Sequence, residues 1–378
     1  MKNFVKLIQK AYNMNFMTLS QRLVNEKIPV PVLTFSLTDS CADFTRHFKN
    51  QGLNIPCIIT ITQQNTNYDD IKIVDIKEVI KNRLKAEYIL VKSIFDYKFA
   101  QRFFPDAKII LLWTSPEKYY DAFMNHLPEL QEFYESLIDE ESKKTFCGYW
   151  LSNVSSVLNE AVFANTPQYI CHGFIPKPGD VLIDCGACEG STSLNFAKMG
   201  CKVYSFEMDK KNFEIAKKIA DENDFIVENL GLGSFKHSVK YTHNEVNIGG
   251  SKLDDKGNET ATITTLDSYV AENDICQVDF IKMDVEGAEL DILKGAATTI
   301  SRFKPILALS AYHKVDDFWT LMNFVKSVRP DYEFALRHYA SSRENVPFIF
   351  DDNTENILNS FGMEVTLPGF VECVLFAR

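Results

Sequence analysis

No stretch of this sequence approaches the roughly 18 to 20 consecutive apolar residues that a membrane-crossing helix needs, so no transmembrane segment is expected. Positive charge is in deficit: 51 acidic against 40 basic side chains give a formal net charge of −11. Such a surface repels phosphates, and nucleic acid is not an expected partner. Cysteine is sparse, odd in number at nine, and scattered mostly inside apolar runs. That excludes a disulfide framework and makes a reducing cytoplasm the expected compartment. The opening MKNFVKLIQKAYNMNF lacks both the uninterrupted apolar run and the small-residue cleavage site of a secretory signal. Its amphipathic pattern predicts a docking helix, with a membrane-surface contact as the alternative. Internal repeats and low-complexity tracts are missing too.

At 378 residues, 46% of them hydrophobic, the chain is long enough for two cores. From residue 28 to about 126, short β-rich runs (IPVPVLTFSL, IPCIITIT, IKIVD, YILVKS, KIILLW) alternate with amphipathic stretches. This alternation predicts a small parallel α/β sheet. No glycine-rich loop follows any of these strands, so a structural, positioning or partner-binding role is expected ahead of nucleotide binding. Residues 127–168 carry helical periodicity and are expected to connect this domain, 1–126, to a second at 169–378. In that second domain DVLIDCG, CKVYSFEMD, FIVENLGLG, VDFIKMD, KPILALSAY, YEFALRHY and FVECVLFAR read as seven strands. Residues 241–266 form an insertion expected to fold as a hairpin around its DKGN turn.

The run LIDCGACEGSTSLNFA takes an apolar strand through a glycine turn into a helix. That places backbone N–H groups and a helix N-terminus at the carboxyl edge of a parallel sheet, where α/β proteins bind ligands. Gly186 and Gly190 have GxxxG spacing, a poor match to the GxGxxG that cradles a diphosphate. Asp184, at the end of the strand, would repel a diphosphate and attract a sulfonium. Glu207, ending the next strand, is placed to accept hydrogen bonds from both hydroxyls of a ribose. Together these favour S-adenosylmethionine, although Gly186 as a plain turn glycine and Asp184 as a helix cap stay open. A redox or zinc role for Cys185 and Cys188 is not expected. Strand alternation turns Cys185 toward the core, and no second ligand pair exists.

In IKMDVEGAELDILKGA, the side chains of Lys282, Asp284 and Glu286 fall on one face and converge on the same edge. Three charges there are costly unless they pair or bind something; a Lys–carboxylate network holding the edge is the alternative reading. Lys282, supplying positive charge, argues against a metal at Asp284 and Glu286, and none is expected. Asn229 either contacts adenine or forms a turn.

The motifs VLIDCGACEGSTS, VYSFEMD, VDFIKMDVEGAELDILKGA, KPILALSAYH and YEFALRHY, in this order, resemble the FkbM family of S-adenosylmethionine-dependent methyltransferases over roughly 170–378. Residues 28–126 are similar, more vaguely, to the small Rossmann-like domain preceding some bacterial members. The resemblance implies a class I methyltransferase fold with a seven-stranded sheet, preceded by a smaller Rossmann-like α/β domain. It implies methylation of a hydroxyl on a sugar or secondary-metabolite acceptor, as in bacterial surface polysaccharide biosynthesis, with S-adenosylhomocysteine as product. Carried onto this chain, the cofactor contacts would be Asp184, Gly186, Ala187, Glu189, Gly190, Ser191, Glu207, Met208, Asn229, Asp284 and Glu286. Glu189 stands where an aspartate is usual and reaches about one methylene further. The partner would be a small-molecule or glycan acceptor, with room for a homo-oligomer.

The catalytic candidates are His313, Asp284 and Lys282, at the carboxyl ends of two central strands. His313 reads equally well as the base that takes the acceptor's proton and as a hydrogen-bonded loop histidine. Gly249, Gly250 and Ser251, in the insertion, are candidates for covering the acceptor. Two other functions stay open: a nicotinamide-dependent oxidoreductase, and a non-catalytic module that keeps the cofactor fold.

Overall fold

The computed structural model describes residues 2–13, 16–34, 39–61, 68, 70–92, 94–111, 116–155, 161–242, 252–253, 257–342 and 368–378. The chain divides into two compact units, Met1–Leu127 with Lys144–Phe163 and Ala340–Val371, and Pro128–Lys143 with Ala164–Tyr339 and Glu372–Arg378. The stretch 127–168 is thus shared by both. No helix among the described residues is long and apolar enough to cross a membrane.

The first unit opens with helices α1 (Lys2–Asn13) and α2 (Phe16–Asn25). It continues as β1 (Val32–Thr34), α3 (Asp39–Asn50), β2 (Ile58–Thr60), β3 (Ile73–Asp75), α4 (Ile76–Asn82), β4 (Tyr88–Val91), α5 (Ile94–Phe103), β5 (Lys108–Leu111) and α6 (Pro116–Asn125). The strands form a parallel sheet in the order β3-β2-β1-β4-β5. Their sequences are apolar at successive positions because both faces are covered. Leu33, Ile59 and Ile89 pack into one core while Val32, Ile58 and Leu90 pack into the other. The amphipathic α1 docks through aromatic contacts: Phe4 packs edge-on to Phe123, and Tyr12 stacks on Tyr120 at 3.8 Å.

Next in chain order are α7 (Leu127–Ser136) and α8 (Glu140–Ser155). In the second unit β6 (Val181–Cys185), α9 (Ser191–Lys198), β7 (Lys202–Phe206), α10 (Lys210–Asn223) and β8 (Ile226–Glu228) come first. The short strands β9 (Gly231–Leu232), β10 (His237–Thr242), β11 (Lys252–Leu253) and β12 (Glu259–Thr264) follow, then α11 (Leu266–Glu272), β13 (Phe280–Met283), α12 (Glu289–Gly295) and α13 (Ala297–Phe303). The last elements are β14 (Ile306–Ser310), α14 (Asp317–Val328), β15 (Phe334–Ser342) and β16 (Pro368–Ala377). Seven strands form a sheet in the order β15-β16-β14-β13-β6-β7-β8, with β16 antiparallel to β14. This is the class I methyltransferase topology expected from the sequence. Strand order reverses at β6, so the ligand crevice of such a sheet opens at the carboxyl ends of β6 and β13.

Two expectations change in detail. The run FIVENLGLG is not one strand: it breaks at Asn229 and Leu230, and β9 joins a separate four-stranded sheet in the order β11-β10-β12-β9. The insertion does form a hairpin, but between β10 and β12, from His237 opposite Ile263 to Tyr241 opposite Glu259. β11 lies on the far side of β10, so the DKGN segment does not join neighbouring strands. Gly249, Gly250 and Ser251 lie outside the described residues.

Polar caps and buried pairs fix the unit. Asp209, in extended backbone, accepts from the N–H groups of Lys211 and Asn212 and so starts α10 directly after β7. Asp209→Ala is expected to cost about 1 kcal/mol of stability, measured by urea denaturation. Arg337, buried on β15, is held by Asp139 at 3.1 Å and by the Ser142 hydroxyl at 2.7 Å. Phe133 stacks on Phe318 with ring centroids 5.1 Å apart.

Candidate active site

β6 delivers Asp184 to the middle of the sheet, where it is 0% exposed. In the parallel pairing of β13 with β6, Lys282 is its register partner. Lys282 Nζ stands 2.8 Å from Asp184 Oδ1, an ion pair inside the protein. The Ser193 hydroxyl donates to Asp184 Oδ2 at 2.6 Å. Lys282 also donates to the Gly186 carbonyl at 2.7 Å. Burial works against its ammonium, but the charges of Asp184 and Asp284 outweigh burial and raise its pKa.

The glycine turn is tight. Gly186 has φ of +84°, and a Cβ there would lie 2.0 Å from the Asp284 carbonyl, so only glycine lets the two strand ends approach. The N–H groups of Gly186 and Ala187 donate to the Phe206 carbonyl, and that of Gly190 to the Ala187 carbonyl. With these donors used internally, the turn offers them to no diphosphate. Both thiols of the CxxC are held in the protonated form. Cys185 is fully buried and burial raises it far up; Cys188 is pushed up to about 12, first by burial and then by Glu207.

A cavity of about 340 Å³ opens over this edge. Gly186, Cys188, Glu207, Met208, Asp284 and Glu286 are among its lining residues. Apolar side chains, among them Phe206, Leu232, Val239 and Ile263, line other parts of it. Glu207 is 8% exposed. Its Oε2 accepts from Cys188 N–H at 2.8 Å and its Oε1 from Asp209 N–H at 2.7 Å. Burial pushes its carboxyl up to about 7, although both N–H donors favour the anion. Each oxygen keeps a second lone pair for a ligand hydroxyl.

On the opposite wall Asp284 is held by two phenols, Tyr169 donating to Oδ2 at 2.6 Å and Tyr312 to Oδ1 at 3.3 Å. Burial and the neighbouring carboxylates raise both tyrosines, which therefore stay protonated donors. His313 Nδ1 lies 2.8 Å from Glu289 Oε1. Burial would lower the imidazole, but Glu289, Asp284 and Glu286 together push it up to about 9.

Residues 184–339 match the family model described as the methyltransferase FkbM domain. That segment is similar to the FkbM methyltransferase domain. The crystal structure of Methyltransferase FkbM from Methylobacillus flagellatus KT superposes with a TM-score of 0.65 at 16% identity, covering 100% of this chain and 98% of that one. At that identity the likeness establishes the fold. Precorrin-6y C5,15-methyltransferase from Geobacter metallireducens GS-15 aligns at 12% identity and a TM-score of 0.30, over 57% of this chain and 94% of its own. An rRNA methylase from Streptococcus thermophilus aligns at 12% and 0.32, over 57% and 99%. Both scores are too low to bear on the site. No curated protein matches the chain.

Around this cavity the predicted residues separate into two groups. Gly186, Glu207, Met208, Asp284 and Glu286 meet at the cavity. Contrary to expectation, Asp184 and Lys282 do not face it but neutralise each other, because strand register sets them opposite one another. Ala187, Glu189, Gly190 and Ser191 build the turn and the start of α9 without joining the lining. Asn229 donates to the Glu207 carbonyl at 2.9 Å, pinning the backbone that carries the carboxylate. His313 points Nδ1 at Glu289, which leaves Nε2 as the ring nitrogen that faces Asp284 and Glu286. Sequence reasoning missed Tyr169, Tyr312 and Glu289. Tyr169 lies 115 residues from the aspartate it holds, and no local pattern signals such a partner.

Proposed function

We propose that this FkbM methyltransferase transfers the methyl group of S-adenosylmethionine to a hydroxyl of a small acceptor, a sugar or related polyol. The observation that carries this reading is the Glu207 carboxylate, fixed by two backbone N–H groups on the cavity wall, beside a turn in which the N–H groups of Gly186, Ala187 and Gly190 are used internally. A carboxylate in that position suits a ribose diol, and the lack of a diphosphate cradle disfavours a dinucleotide. Bound there, S-adenosylmethionine would supply the activated methyl group. The chain's own part is alignment. Asp284, braced by Tyr169 and Tyr312, is the carboxylate on the cavity wall that can accept a hydrogen bond from the acceptor's hydroxyl and orient it.

The test is calorimetric titration of the full chain with S-adenosylhomocysteine and, separately, with NAD. Saturable binding of the first and none of the second is expected. The reverse result would overturn the reading in favour of an oxidoreductase. Incubation with labelled S-adenosylmethionine and hydroxylated metabolites, read by mass spectrometry, then identifies the acceptor. Binding without turnover on any acceptor would favour a non-catalytic module.

A further inference from the structure

The cluster around His313 holds more than a hydrogen-bonded loop histidine. Glu289, 1% exposed, presents Oε1 to three groups: the His313 ring at 2.8 Å, Val285 N–H at 3.1 Å and Gly287 N–H at 3.4 Å. A carboxylate only accepts, so Nδ1 carries the hydrogen, and an ion that takes the lone pair of Nε2 displaces any proton held there. That nitrogen is buried and has no hydrogen-bond partner, on a side chain 9% exposed. It faces Asp284 Oδ1 at 3.5 Å and Glu286 Oε2 at 3.9 Å. Both distances are too long for a hydrogen bond. They match the roughly 3 to 4 Å separating ligand atoms that share an ion bound at about 2.1 Å.

We infer that His313 Nε2, Asp284 Oδ1 and Glu286 Oε2 form a binding site for a divalent transition-metal ion, with Glu289 orienting the imidazole from behind. Histidine ligands characteristically donate their other N–H to a carboxylate, which is the role Glu289 takes. One imidazole with two carboxylates is a mixed nitrogen and oxygen set, suited to Mn²⁺ or Zn²⁺ over Mg²⁺. The sequence pointed away from a metal because Lys282 was read as the counter-charge of Asp284 and Glu286. In the structure Lys282 is matched to Asp184, and the carboxylates around His313 keep an excess of negative charge. Asp284 and Glu286 line the cavity, so an ion between them would meet the acceptor's hydroxyl. That role rests on the methyl-transfer reading above; the ion's binding does not.

The experiment is titration of the full-length, chelator-treated chain with Mn²⁺, following loss of the free-ion electron paramagnetic resonance signal. Manganese is chosen because nine cysteines would compete for zinc. One saturable ion per chain is expected. His313→Gln is expected to weaken it at least about tenfold, and Glu289→Gln, a positioning variant, by about 10- to 100-fold. Circular dichroism checks that each variant folds. Absence of saturable binding to the wild-type chain overturns the proposal, as does binding unchanged in folded His313→Gln. A parallel titration with S-adenosylhomocysteine separates the two readings. Manganese without the nucleoside leaves the metal site standing and sinks the donor assignment, and the nucleoside without manganese does the opposite.

Discussion

Glu207→Ala is expected to raise the Kd for S-adenosylhomocysteine by roughly a hundredfold or more, with the fold retained. Two hydroxyls bound to a charged acceptor contribute about 1.5 to 3 kcal/mol each, and a loss of about 3 kcal/mol corresponds to about two decades in Kd. Glu207→Gln keeps the shape and the acceptor oxygen but not the charge, so an intermediate loss is expected. The pH dependence follows from burial. The folded protein holds this proton up to about 7, well above the usual 4.5. A ligand that prefers the anion must displace that proton, so affinity falls as pH drops below about 7, by up to about tenfold per unit, and levels off above it. Calorimetry from pH 5.5 to 8.5 checks the profile, and Glu207→Gln should flatten it. The same shift opposes folding stability in the other direction: the folded state binds this proton more tightly, so Glu207's contribution is full below about 4.5 and lost as pH rises through 7. A pH-independent affinity in the wild-type chain would remove Glu207 from the site.

Lys282→Met is expected to destabilise the protein by about 3 to 5 kcal/mol, the loss typical of stranding one member of a buried ion pair. Asp184, wholly buried, would keep only the Ser193 hydroxyl, and the Gly186 carbonyl would lose its donor. Asp184→Asn alone should be costly for the converse reason. The double variant Asp184→Asn with Lys282→Met, which strands no charge, should recover most of the loss. Urea denaturation of the four proteins checks this. A Lys282→Met protein as stable as the wild type would mean that the pair does not hold the two central strands as described.

These two residues also show what could and could not be read in advance. Glu207 was legible because an apolar run ended in a carboxylate one strand after a glycine turn, a local pattern. Asp184 and Lys282 were each recognised as strand-end charges, but their pairing depends on the register between β6 and β13, which neither strand encodes by itself. The seven-stranded sheet was visible strand by strand, since buried parallel strands are near-continuous apolar runs. The division of FIVENLGLG was not, because the turn at Asn229 is stabilised by a bond to the Glu207 backbone, on another strand. Asp284 was singled out for its charge, whereas its bracing by Tyr169 and Tyr312 required the folded chain.

The pairing of Arg337 with Asp139 and Ser142 bears on any attempt to produce the second unit by itself. A shortened protein beginning at residue 169 would carry β15 but not the helix-turn segment that satisfies its guanidinium. It would also strip Phe133 from the ring of Phe318, baring an aromatic surface. A start point upstream of Pro128 keeps both partners with the strands they serve.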